Sequence, residues 1–159
     1  MFRIGVTGKD LAEVSRELRK AGNGTVTKQF RQELRAVAAP FVPAVRSSIA
    51  AIPVKGTAGS TGLRQRLSKA VTLRVRTSGK NAQVSILMST GKMPDGQKSL
   101  PAMMEGTKQW QHPVFGPHDS ETWTSQPSHQ YFFPVVRGIG PAAKVAIGRV
   151  VKNITKEIT

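Results

Sequence analysis

A chain that gathers its aromatic residues into one aperiodic stretch must fold so that the stretch meets a surface. Residues 110–134 read WQHPVFGPHDSETWTSQPSHQYFFP. They hold Trp110, Phe115, Trp123, Tyr131, Phe132 and Phe133, which are six of the nine aromatics in the protein. The stretch also carries all three histidines, with Pro113, Pro117 and Pro127 ahead of the closing Pro134. Neither a helical nor a strand period runs through it, so the expectation is a long loop at 107–134. Loops of that length are either disordered or functional. A segment with nothing to bury cannot offset the entropy of ordering, and disordered segments are accordingly poor in large aromatics. The composition here therefore predicts an ordered loop pinned to the body by aromatic anchors.

The body around it reads as alternating periods. Phe2, Ile4 and Val6 fit a short strand. Asp10 with Glu13 has the spacing of a capping box, ahead of Leu11, Val14, Leu18 and Ala21 at helical spacing and a stop at Gly22 and Gly24. Thr25 or Thr27 is expected to cap a second helix with the stripe Phe30, Leu34, Val37, Phe41, Val45 and Ile49. Pro40 and Pro43 interrupt that stripe, but its apolar phase continues, which favours a kinked helix over two separate ones.

After a glycine-rich connection at 55–62, the segment LRQRLSKAV suits a short helix leading into a strand. The period then becomes two: Val71, Leu73 and Val75 alternate with Thr72, Arg74 and Arg76, and Val84, Ile86 and Met88 with Gln83, Ser85 and Leu87. With a turn at 78–81, this is a β-hairpin. LPAMME at 100–105 suits one or two helical turns. Beyond Pro134 a last stripe of Val136, Ile139, Ala143, Ile147, Val150, Ile154 and Ile158 predicts a C-terminal helix, firm from about Pro141. The expected fold is one α+β domain over 1–159: two N-terminal helices, a central antiparallel hairpin, a long aromatic loop and a C-terminal helix.

Charge is the other constraint. Lys and Arg number 24 against 9 Asp and Glu, a net charge of +15. Such an excess favours polyanions or acidic protein surfaces. No Asp or Glu occurs in the span 34–94. Within it Arg64, Arg66, Lys69, Arg74 and Arg76 fall on the short helix and adjoining strand, a candidate basic contact surface for DNA or an acidic neighbour. No aromatics are interleaved with these charges, unlike the stacking platforms of single-strand binders, and no zinc-finger or RNA-binding signature is present. Sequence-specific recognition is not expected; non-specific DNA contact stays open.

Chemistry finds little footing. There is no cysteine, hence no disulfide framework or thiolate metal site. His112, His118, Asp119, Glu121 and His129 match no metal-ligand spacing such as HExxH. No GxSxG or P-loop occurs. The expectation is a protein without catalytic residues, cofactor or metal. No apolar run approaches a membrane span, and the N-terminus does not read as a secretory signal, so a soluble protein is expected.

Several motifs together carry a resemblance. They are the AGNG helix end, LRAVAAPFVPAVRSSI, GLRQRLSKAV, the step from Glu105 to Trp110, then HPVFG at 112–116, Trp123, Gln126 with Pro127, and YFFP at 131–134. This order resembles the tail-completion or neck family of long-tailed bacteriophages, the tail-component group that includes the minor tail protein Z type. The resemblance implies a virion structural protein of the head–tail junction, made in the host cytoplasm and assembled as a homo-oligomeric ring, sixfold by family analogy. It further implies neighbours among the phage neck and tail proteins: a connector or stopper, a tail terminator, the tail tube. It brings no catalytic residue. Trp110, His112, Phe115, Trp123, Tyr131 and Phe132 are the candidate subunit-interface residues of the loop, whose aromatic anchors are expected to be partly core and partly intersubunit. The alternative from another class is a small, basic, non-sequence-specific DNA-binding protein.

Overall fold

The computed structural model describes residues 2–6, 9–20, 22, 24–53, 62–77, 82–113 and 123–158. In chain order these form β1 (Phe2–Val6), α1 (Lys9–Lys20), α2 (Gly24–Ala38), α3 (Phe41–Ala50) and α4 (Leu63–Ala70). Next come β2 (Val71–Arg76), β3 (Gln83–Met88), a 3-10 turn at Thr90–Lys92 and α5 (Leu100–Glu105). β4 (Trp110–Pro113), β5 (Trp123–Gln126), α6 (Phe133–Val136) and α7 (Ile139–Ile158) complete the chain. The architecture is α+β, with a three-stranded antiparallel sheet in the order β1-β3-β2 and a separate two-stranded sheet, β4-β5. No helix among the described residues is long and apolar enough to cross a membrane.

The helices follow their stripes. Leu11, Ser15 and Leu18 turn one face of α1 inward. That helix ends at Gly22, whose N–H donates to the Arg19 carbonyl and whose φ is 67°. Such a left-handed residue is strain-free only for glycine. α1 begins at Lys9, so Asp10 sits within its first turn rather than at the cap. α2 likewise begins at Gly24 and takes in both Thr25 and Thr27. An acidic or hydroxyl residue is tolerated in a first turn, where the backbone donors have no intrahelical acceptor.

The expected kinked helix is two helices. α2 stops at Ala38, a turn follows at Ala39 and Pro40, and α3 starts at Phe41. Pro40 has no N–H to continue the α2 ladder, and its ring crowds the preceding turn. Pro43 is harmless by contrast, because it lies in the first turn of α3, where N–H groups lack intrahelical acceptors. The stripe kept its phase because the break is so short: Phe30, Leu34 and Ala38 on α2, and Val45 and Ile49 on α3, enter the same core.

That core lies between helices and sheet. α2 packs along α7 and against β2 and β3, while α3 meets α4, α6 and β2. Val71, Val84, Ile86 and Met88 face Phe30, Leu34, Leu67 and Phe132 within one apolar cluster. Each such side chain, fully buried, contributes about 1.5–3 kcal/mol. The central strand β3 is buried on both faces, since Gln83, Ser85 and Leu87 are also enclosed. Its register explains this. Leu87, Ser85 and Gln83 lie opposite Thr72, Arg74 and Arg76 of β2 and are flanked by β1 on the other side. The edge strand has only one such neighbour, and Thr72, Arg74 and Arg76 remain exposed.

The C-terminal helix starts at Ile139, two residues ahead of the expected Pro141, and buries Ile139, Ala143, Ala146 and Ile147. A single separate turn, α6, precedes it. The expected turns at 55–61 and 78–81 lie outside the described residues.

Candidate interaction surfaces

The segment 107–134 is not one continuous loop. Four residues at each side of it pair as an antiparallel ribbon, with Trp110 opposite Gln126 and Pro113 opposite Trp123. WQHP and WTSQ, at four residues each, are too short to show a clear period of two. The tip between the strands, which includes Phe115, His118, Asp119 and Glu121, lies outside the described residues.

The root of this arm is fixed by one carboxylate. Glu105, the last residue of α5, is 3% exposed. Its Oε2 accepts the N–H groups of Tyr131 and Phe132, and its Oε1 accepts that of Phe133, each at 2.8 Å. Phe132 and Phe133, the N-cap and first residue of α6, carry orphan donors of that helix, and a carboxylate is a strong acceptor for them. Around this centre, the Tyr131 hydroxyl donates to the Pro101 carbonyl at 3.1 Å and the His129 N–H to the Met104 carbonyl at 2.8 Å. The Ser128 hydroxyl reaches the carbonyls of Met103 and Lys108. Gly106 is squeezed between the end of α5 and Ser128: a Cβ there would stand 3.2 Å from the Met103 carbonyl and 3.3 Å from Ser128 Oγ. Burial, and then the adjacent Glu105 carboxylate, push the Tyr131 phenol above its ordinary value.

The expected interface set therefore divides. Tyr131 and Phe132 are core residues, 1% and 0% exposed. Their position next to the Glu105 clamp draws them inward, while Phe133 packs edge-on to Phe132 with ring centres 5.6 Å apart. Trp110 is half-buried. Trp123 is 55% exposed on β5 and is the aromatic of this set that the structure presents to solvent. His112 lies on β4 opposite Thr124, but its side chain, like all of Phe115, lies outside what the structure describes.

The basic surface also divides. α4 runs into β2 without a connecting residue. Arg66, Lys69, Arg74 and Arg76 are exposed. Arg64 is half-buried and donates to the Ala50 carbonyl at 3.1 Å, which ties α4 to the end of α3. Arg46, which the sequence reading did not single out, straps α3 to the helix–strand junction through the carbonyls of Ser68 (3.1 Å) and Val71 (3.3 Å). Glu105 also escaped the sequence reading as a structural centre. The available signal was a lone acid closing an otherwise apolar helical turn, in a chain with few acids.

In comparisons with known proteins, no family model matches this chain, and no curated protein or solved structure matches it either.

Proposed function

We propose that this protein is a ring-forming structural subunit of the head–tail junction of a long-tailed bacteriophage, a neck or tail-completion protein. The motif order that resembles that family is one support. The observation that carries the reading is the arm: a two-stranded ribbon clamped at its root by Glu105 and displaying Trp123 at 55% exposure. A two-stranded sheet alone is marginal in water. Exposed tryptophan is also enriched where protein surfaces meet. An arm of this kind suits contact with a neighbouring copy, and a closed ring needs such a heterologous contact, one surface meeting a different one on the next subunit.

Sedimentation and native mass measurement of the full chain across concentration test the reading, together with copy-number analysis of purified virions. A closed oligomer of fixed stoichiometry that occupies the neck is expected. A protein that stays monomeric, binds DNA tightly in low salt and is absent from virions refutes it in favour of the DNA-binding alternative.

A further inference from the structure

Four arginines from three elements are gathered along strand β2. Two of them hold its ends from the helices that pack on it. Arg46 of α3 donates from Nε to the Ser68 carbonyl at 3.1 Å and from Nη2 to the Val71 carbonyl at 3.3 Å, at the start of the strand. Arg31 of α2 donates from Nε and from Nη2 to the Thr77 hydroxyl, each at 3.2 Å, just past the last strand residue. Val71 and Thr77 are six residues apart, about 20 Å at the rise of a strand. Between them Arg74 and Arg76 share one face of β2, opposite the uncharged Ser85 and Gln83 of β3. All four arginines are exposed. Lys69 and Arg66, also exposed, extend the row onto α4, which runs directly into β2.

Two properties of this row decide its partner. Its charge is not offset by acids of its own elements: no Asp or Glu occurs in the span 34–94, and Glu33 lies two residues from Arg31, which places it on the other side of α2. The row also lacks an apolar anchor. No aromatic residue stands between Phe41 and Trp110. Among the described residues, the exposed large hydrophobics are Met103, Trp123, Phe133 and Val145, none of them on α2, α3, α4 or β2. Protein interfaces centre on such anchors, and single strands stack on aromatic platforms. A duplex needs neither. It presents one phosphate charge per ~1.7 Å of axis, and its backbone accepts from arginine forks and from Ser, Thr and Gln side chains. Ser47, Gln65 and Thr72 are exposed on α3, α4 and β2. The tethered guanidiniums of Arg31 and Arg46 are held before binding, so they lose little side-chain freedom on meeting phosphate.

We propose that this row is a docking surface for the sugar–phosphate backbone of a nucleic-acid duplex, bound without regard to base sequence. Arg31 and Arg46 belong to it although both lie outside the helix–strand segment that the sequence singles out. The surface is independent of the ring reading, since it uses neither the arm nor Trp123.

The test titrates the full chain onto a fluorescein-labelled duplex of about 20 base pairs, DNA in one arm and RNA in the other, from about 50 to 200 mM salt, with anisotropy as the readout. Binding of either duplex supports the surface, and the tighter of the two identifies its source. With about four or five phosphate contacts, affinity is expected to fall with salt at a log–log slope of about −4. R74A/R76A should flatten that slope by about 2 and weaken binding about tenfold at about 0.1 M salt, while R74K/R76K should keep both. K144A/R149A removes two exposed charges from α7, which packs on β1 at the far edge of the sheet, and should change the slope less than half as much. Equal losses in the two alanine pairs overturn the row as a site and reduce the binding to net charge. A single strand that binds more tightly than the duplex overturns the assignment. So does polyglutamate that displaces the labelled duplex as well as unlabelled duplex does, which points to an acidic protein neighbour instead. A chain that forms its oligomer but binds no duplex overturns this inference and leaves the ring reading standing. A chain that stays monomeric and binds as expected refutes the ring and keeps the surface.

Discussion

Removing the Glu105 carboxylate should loosen the arm root more than any other single change to a polar group in this fold. Glu105 makes three hydrogen bonds of 2.8 Å to consecutive backbone N–H groups, and two of the donor residues, Tyr131 and Phe132, are 1% and 0% exposed. A buried donor left without an acceptor costs about 1–3 kcal/mol. Glu105→Ala strands two fully buried donors and one partly buried one, which sums to about 4 kcal/mol. Glu105→Gln keeps one oxygen of the same shape but turns an NH2 group toward a backbone N–H and removes the charge, for about 2 kcal/mol. Urea unfolding of the two variants beside the wild type reads these losses as shifts in midpoint at constant slope. In thermal melts each kcal/mol corresponds to about 2–4 °C for a chain of this size. Amide exchange localises the effect, with Tyr131 and Phe132 amides slow in the wild type and fast in Glu105→Ala. If Glu105→Ala changes stability by less than about 0.5 kcal/mol, the clamp is not what holds the root.

Tyr131 gives the clamp a pH dependence. Its phenol is raised above the ordinary value near 10 by burial and by Glu105. The native state therefore holds a proton that the unfolded chain releases, and this contribution to stability is complete below pH 10 and declines as pH rises further. Tyr131→Phe lacks that decline but loses the bond to the Pro101 carbonyl, so it should be about 1 kcal/mol less stable than wild type at pH 7. Urea midpoints at pH 7 and pH 10.5 should show the gap closing at the higher value, and a constant gap would contradict the assignment. Trp123→Ala, at an exposed position, should leave the melting temperature within about 2 °C of wild type while it shifts sedimentation toward smaller species. A cooperative loss of stability would instead place Trp123 in the core.

The parts of this fold that were legible in the sequence are those whose partners repeat a period. Phe30 and Leu34 declared a helix face, and the alternation from Val71 to Met88 declared a hairpin, because burial itself follows 3.6 or 2 residues. The break at Pro40 was hidden by the same logic, since α3 resumes the stripe after a two-residue turn. The β4–β5 ribbon left no pattern because its strands, four residues each, are too short to show a period. Glu105 was invisible for a different reason. Its partners are main-chain N–H groups 26, 27 and 28 residues away, and no side-chain type marks such an acceptor's target. The loop's aromatic content correctly implied anchoring, but only the clamp decided that Tyr131 and Phe132 turn inward while Trp123 stays out.

Salt separates the two readings of the positive charge. Copies that each carry +15 repel one another when brought into a ring, and most of that repulsion acts between charges spread over whole subunits. At 0.1 M salt the screening length is about 10 Å, so added salt removes the long-range repulsion before it weakens close contacts between copies. The covering of an exposed ring such as Trp123 is insensitive to screening. Self-assembly should therefore strengthen as salt rises from low to physiological levels. Contact with DNA phosphates behaves in the opposite way, because binding releases counterions and weakens steeply over the same range. Sedimentation and DNA titration along one salt series thus move in opposite directions if the arm builds a ring. Should assembly fall with salt in parallel with DNA affinity, the contacts between copies are mainly charge on charge, and the covering of Trp123 does not drive them.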